Sequence, residues 1–276
     1  MGVSSLLAAR SKVFYGWWIV LAAMGITAFG SGVWFYGFPI FFSALLTEFG
    51  WSRAVAAGAF SLSRLEGGLE APLVGWLADK YGPRKLAIVG AVIASIGFVA
   101  MSRVNSFSIG TVEVSALVVF YVLYLGVLSV GYNTGFTHST MVAVNAWFRR
   151  KRSRAFAIFS VGGGLSGPVV ALLGWIIATY GWRFGAVAVG VSLWVIVIPL
   201  AFVLRHKPEH YGLLPDGEQN DGGVTELESE AQDFSVRQAM RGGTFWILVV
   251  GSSARSIAMT SVVLHLPRYL EDVGIP

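Results

Sequence analysis

Four ionisable side chains stand out because the stretches that carry them are otherwise apolar: Arg64, Glu66 and Glu70 close together, and Arg255 much later. Placing such a group at the centre of a bilayer costs roughly 2.5 to 3.5 kcal/mol on insertion scales, so each is a functional candidate by default. Arg255 lies in Gly251-Ser252-Ser253-Ala254-Arg255-Ser256, a small and polar run that leaves room for a cavity beside the guanidinium. A carboxylate can pair with a guanidinium through two parallel hydrogen bonds. The competing reading is a structural pair with an acid on another helix. Glu66 and Glu70 are four apart and share a helix face, whereas Arg64 and Glu66 are two apart and do not. Two ionised acids on one face repel, so one of them is expected to hold a proton, the usual route to proton coupling. Pairing across helices is the plainer alternative for all three. Asn133 and Thr137, one turn apart with His138 beside them, offer a neutral hydrogen-bonding strip, although such residues also hold helices together. Tyr36 and Pro39 fit a kinked stretch facing a cavity, with aromatic packing as the alternative for Tyr36.

These residues must be positioned by helices in lipid. The chain has 276 residues, 55% of them hydrophobic and only 13% charged, with a mean hydropathy of +0.68. The apolar residues fall in blocks long enough to cross a hydrocarbon layer, which takes roughly 20 residues of helix. No alternating barrel pattern runs through them, so each block is expected to be a helix. The blocks run roughly from Tyr15 to Leu46, Ala54 to Ala78, Leu86 to Met101, Val114 to Phe148, Ala155 to Tyr180, Phe184 to Leu204 and Thr244 to Leu270. This predicts an all-α membrane protein with about seven transmembrane helices, the fourth block being longer than one crossing needs. The first is too long for a cleaved leader.

Charge sets the orientation. With a cytoplasmic amino terminus, the inner loops hold Arg10, Lys12, Lys80, Arg84, Lys85, the run Arg149-Arg150-Lys151-Arg152-Ser153-Arg154, Arg205, Lys207, Arg237 and Arg241. The outer loops hold only Arg53, Arg103, Arg183 and Arg268, which is the bias of a cytoplasmic amino terminus. The net charge of +5 is therefore explained by topology, and nucleic-acid binding is discounted. The absence of cysteine excludes disulfides, thiolate chemistry and cysteine-based metal sites, and no GxxxxGK[ST] phosphate loop occurs. Neither a cofactor nor a resident metal is expected. The four histidines are scattered, which speaks against a membrane enzyme or receptor, the runner-up reading.

A polar, acidic stretch with Glu209, Asp216, Glu218, Asp221, Glu226, Glu228, Glu230 and Asp233 follows the sixth block. The seventh block repeats features of the first, Trp246 against Trp18 and Leu270-Glu271-Asp272-Val273-Gly274 against Leu46-Thr47-Glu48-Phe49-Gly50, as a duplicated six-helix unit would. The expected division is residues 1–204 as a six-helix bundle, 205–242 as a cytoplasmic linker, and 243–276 as the first helix of an incomplete second bundle. The sequence stops where an eighth helix is due, so a truncated chain or a fragment is expected. A truncated product without transport activity is the other alternative.

Between the second and third blocks the sequence reads Gly75-Trp76-Leu77-Ala78-Asp79-Lys80-Tyr81-Gly82-Pro83-Arg84-Lys85. Gly75 is expected to let a neighbouring helix approach, and Gly82 and Pro83 to shape a turn. The pattern G-x-x-x-D-x-x-G-x-[RK]-[RK] in this loop resembles the signature of the major facilitator superfamily. That resemblance implies a six-helix N-terminal bundle followed by a second one, alternating access, and a cytoplasmic gating motif of Gly75, Asp79, Gly82, Arg84 and Lys85. In it Asp79 would act as a latch with Arg84 and the positive end of a helix in the second bundle; charges that merely enforce topology are the competing reading.

Phe49-Gly50-Trp51-Ser52-Arg53, Ala71-Pro72-Leu73-Val74-Gly75, Trp147-Phe148 and Tyr180-Gly181-Trp182-Arg183 are similar to the bacterial monocarboxylate and oxalate/formate transporter-like group. This implies a cell-membrane carrier for a small organic anion, by proton symport or anion exchange, with Arg255 within reach of the central cavity. Some relatives place a cation in the first helix; none is present here. Gly163-x-x-x-Gly167-Pro168 is similar to part of the superfamily's antiporter motif and is expected to give close packing and a kink more than exchange.

Overall fold

The computed structural model describes residues 14–109, 112–217 and 236–273. These fall into two compact units divided after Asn220. The first holds six long helical stretches: α1 (Tyr15–Phe49), α2 (Arg53–Tyr81), α3 (Pro83–Met101), α4 (Ala116–Trp147), α5 (Arg152–Tyr180) and α6 (Trp182–Val203). The second holds a short α7 (Val236–Arg241) and the long α8 (Gly243–Asp272). The long helices begin and end within a turn of the apolar blocks that predicted them, whereas α7 falls in the stretch expected to be a linker. All of the first six but α2 are long and apolar enough to cross a bilayer. The 29 residues of α2 would span about 43 Å, so its length suffices and its three interior charges set it apart. The acidic run 218–235, and Arg10 and Lys12, lie outside the described residues.

The long helices are not straight, and each bend has a cause. In α1 a π-helical segment, Ser31–Tyr36, is followed by Gly37 and by Pro39 at the start of the next α-helical segment. The over-long fourth block contains two such segments, Tyr124–Ser129 and Asn133–His138. In α5 the α-helical pattern breaks at Leu165 and Ser166 before Pro168. The turn from α2 to α3 and the turn from α5 to α6 have nearly the same backbone, with φ/ψ of 86°/151° at Gly82 and 83°/161° at Gly181.

Helices approach closely where side chains are smallest. A Cβ on Gly131 of α4 would lie 2.6 Å from the backbone nitrogen of Ala94 in α3, and one on Gly162 of α5 would lie 2.5 Å from the carbonyl oxygen of Met24 in α1. Without a hydrophobic drive between helices in lipid, such backbone contact is what holds them. An aromatic column fills the core between α1 and α4, where Trp34 stacks on Tyr124 at 4.8 Å and on Tyr132 at 5.1 Å.

Three expectations need correction. A small antiparallel hairpin, β1 (Phe107–Ile109) with β2 (Val112–Val114), precedes α4. Val114 thus lies in a strand, and α4 starts after Ser115, whose Oγ accepts from the Val118 backbone N–H. Three-residue strands are too short for alternation to register. Gly163 and Gly167 meet nothing within 4 Å among the described residues; it is their neighbour Gly162 that makes the close contact. Gly75 also meets nothing within 4 Å among the described residues, so the close approach expected there is not made within this unit.

Candidate functional site

The charges of α2 separate onto two sides of the helix. Glu66 and Glu70, on one face as their spacing requires, are turned toward α4. The Asn133 side-chain amide donates to Glu70 Oε2 at 3.0 Å, and Asn133 lies 3.4 Å from Ser129 Oγ. Space for this is made by Gly67, where a Cβ would come within 2.9 Å of the Asn133 amide nitrogen. His138 lies alongside Gly67 and Glu70. Glu66 sits beside Glu70 and Ser129, and its Oε2 is buried without a hydrogen-bond partner among the described residues. Asn133, Thr137 and His138 all belong to the second π-helical segment of α4, whose irregular turn moves successive side chains off the regular helical rows. Thr137 offers its carbonyl oxygen to the Thr140 hydroxyl at 3.1 Å.

Arg64 points the other way. Its guanidinium lies over the rings of Phe35 at 4.6 Å and Phe60 at 4.9 Å. Phe35 in turn contacts Tyr36, with ring centroids 4.8 Å apart, so Arg64 and Tyr36 flank one ring of the α1 π-segment. The Tyr124 and Tyr132 hydroxyls are within electrostatic reach of Arg64, and that of Tyr124 is buried without a partner among the described residues. No ion pair joins Arg64 to either glutamate. In the second unit Arg255 is exposed near the middle of α8, among the small residues that its sequence context provides. Among the described residues no three His, Asp or Glu side chains gather closely enough to hold a metal ion.

At the α2–α3 turn, Gly82 is buried at a φ of +86°, a conformation that other residues adopt only with strain. Asp79 and Lys85 are exposed and Arg84 is half-buried. The Arg84 Nε donates to the Leu204 carbonyl at 2.7 Å, tying the motif to the end of α6. The segment after α6 then crosses this end of the bundle. Trp147 Nε1 donates to the His206 carbonyl at 3.0 Å, and Arg205 stacks between Tyr15 at 3.8 Å and Tyr211 at 4.5 Å. Asp216 ends the crossing, its carboxylate accepting from the backbone N–H groups of Arg149, Arg150 and Lys151 at 2.7 to 3.0 Å. No local pattern announces this contact, which closes across 65 residues or more of chain.

Burial opposes ionisation of Asp216, but the three N–H donors outweigh it and hold the carboxyl below its ordinary value. A carboxylate depressed in the folded state adds stability above its unfolded pKa of about 3.9, and that stability is lost as pH falls through the folded value. Asp216→Asn keeps a residue tolerant of the φ of +62° found here. It is expected to cost about 1 to 2 kcal/mol at neutral pH, seen as a lower melting temperature in detergent. The gap to wild type should close below about pH 4; a gap independent of pH would assign the effect to packing.

A profile of the Major Facilitator Superfamily matches residues 20–276, nearly the whole chain. The chain belongs to the major facilitator superfamily. Within it, the chain is 26% identical over 234 residues to the oxalate:formate antiporter of Oxalobacter formigenes, covering 84% of this chain and 50% of that protein. It is 25% identical over 271 residues to monocarboxylate transporter 4 of Rattus norvegicus, covering 95% of this chain and 52% of that protein. Monocarboxylate transporter 13 of Bos taurus is 27% identical over 193 residues, 69% of this chain and 42% of that protein. The chain therefore spans about half the length of the curated relatives it matches. Superfamily members are transporters, so this multi-pass membrane protein is not an enzyme.

Two of the short signatures, the one around Phe49–Trp51 and Tyr180–Arg183, meet at the opposite end of the bundle. Glu48, at the end of α1, accepts from Trp182 Nε1 at 2.6 Å and pairs with Arg183 at 2.5 Å, and the Arg183 guanidinium also lies over the Trp182 ring. Phe49 stacks on Trp51 at 4.7 Å. Segments more than 130 residues apart thus lock α1 to the α5–α6 turn.

Proposed function

We propose that the complete protein is a secondary transporter of small organic anions of the monocarboxylate type, working by alternating access in the cell membrane with its amino terminus in the cytoplasm. The observation that carries this reading is the polar seam inside the bundle: Glu70 bonded to Asn133, with Glu66, Ser129 and His138 around it. Polar and charged groups at that depth mark pathways for solutes or protons. The names of the relatives, for oxalate, formate and monocarboxylates, supply the substrate class. The distribution of Lys and Arg over the loops supports the orientation.

Coupling to protons is favoured over exchange by the two acids one turn apart, since a proton held between Glu66 and Glu70 relieves their repulsion. The test is uptake of labelled lactate, formate and oxalate by proteoliposomes that hold the complete protein, with and without an inwardly directed pH gradient. Accumulation driven by the gradient is expected. Uptake that needs an internal anion and ignores the gradient would replace symport by exchange, and no uptake of any of them would end the organic-anion reading.

A further inference from the structure

We infer that Arg64 is the cation by which the first unit holds the carboxylate of the transported anion; this rests on the organic-anion reading above. Arg64 lies about 16 Å along an α2 of about 43 Å, far from either end. A guanidinium at that depth needs an opposite charge or water, and interior charges nearly always face a bundle interior or an aqueous cavity. The acids nearest in sequence are turned away: Glu70 is bonded to Asn133, and Glu66 lies against Ser129 on the same side.

Two aromatic faces hold Arg64 instead, those of Phe35 and Phe60. Aromatic rings engage the flat face of a guanidinium and leave its N–H edge free, the edge that fits a carboxylate bidentately. Phe35 belongs to the bent, π-helical part of α1 and packs on the Tyr36 ring, and the Tyr132 hydroxyl lies within electrostatic reach of both Arg64 and Tyr36. The seat is thus prepared: the cation is held, exposed and without an ion-pair partner among the described residues.

These 276 residues contain no cysteine, so within them a cysteine at position 64 is the sole thiol, and wild-type protein treated with the same reagents is the control for thiols elsewhere. In proteoliposomes of the complete protein, Arg64→Cys should raise KM for lactate and formate by about 10- to 100-fold, the value of a charge-assisted pair. Reaction with 2-aminoethyl methanethiosulfonate, which attaches an ammonium, should recover much of the affinity, whereas the methyl reagent should not. Saturating lactate should slow both reactions. Should Arg64→Cys not reach the membrane, protection of wild-type Arg64 from phenylglyoxal by lactate, read by mass spectrometry, answers the same question. An unchanged KM, or Arg64 labelling indifferent to lactate, overturns the inference and leaves Arg64 as the partner of an acid elsewhere in the protein. Wild-type protein that takes up neither anion would remove the organic-anion reading itself, and the inference with it.

Discussion

Arg255→Ala is expected to abolish carboxylate uptake while leaving the amount of protein in the membrane unchanged or higher. The argument starts from cost. A guanidinium near the centre of α8 opposes insertion by roughly 2.5 to 3.5 kcal/mol, so removing it makes α8 easier to insert and a loss of uptake cannot be blamed on insertion. What disappears is a forked donor that could hold a carboxylate, flanked by Gly251, Ser252, Ser253 and Ser256, which leave the space around it open. Arg255→Lys keeps the charge but not the fork, and should keep part of the affinity with a KM about ten-fold higher. Uptake of labelled lactate alongside quantification of the membrane fraction separates these effects. Uptake at the wild-type rate in Arg255→Ala would take Arg255 out of the site, without touching the case for Arg64.

The helices were legible because lipid leaves the chain little choice: a block of some 20 apolar residues must satisfy its backbone internally. Hence the bounds of α1 to α6 and α8 fall within a turn of expectation, and Glu66 and Glu70 share a face as four-residue spacing dictates. The turn between α2 and α3 was also legible, since the conformation at Gly82 depends on local backbone chemistry. What escaped depends on partners distant in sequence. The seat of Arg64 is made by Phe35 of another helix, and nothing in the spacing of α2 says that the arginine turns to α1 while the acids turn to α4. The clamp made by Asp216 joins residues in two loops. The π-helical segments that carry Tyr36, Asn133, Thr137 and His138 are shifts of a single hydrogen-bond register, to which hydropathy is blind.

Asp79→Asn is expected to slow turnover by about ten-fold with KM changed by less than about two-fold. Asp79 sits in the last turn of α2, where the negative end of the helix dipole disfavours an acid by about 0.3 to 1 kcal/mol. Its presence there works against the stability of α2, so the charge is better explained by a step in the cycle than by the fold. Its neighbourhood is already poised: Arg84 is fixed to the end of α6 through Leu204, and the His206 ring packs on Gly82. Burial, then His210 and Lys207, push the His206 pKa down, and Asp79 works in the opposite direction. Neutralising Asp79 should therefore lower the His206 pKa further, a shift that histidine NMR resonances report independently of transport. A group whose folded pKa is depressed in this way loses stability when it is forced to take up a proton, so whatever stability Asp79→Asn gains by removing an acid from the helix end should shrink as the pH falls below about 6.5. If turnover stays normal while the His206 resonance moves, Asp79 tunes the local field but latches nothing, and the gate must be sought in another part of the loop.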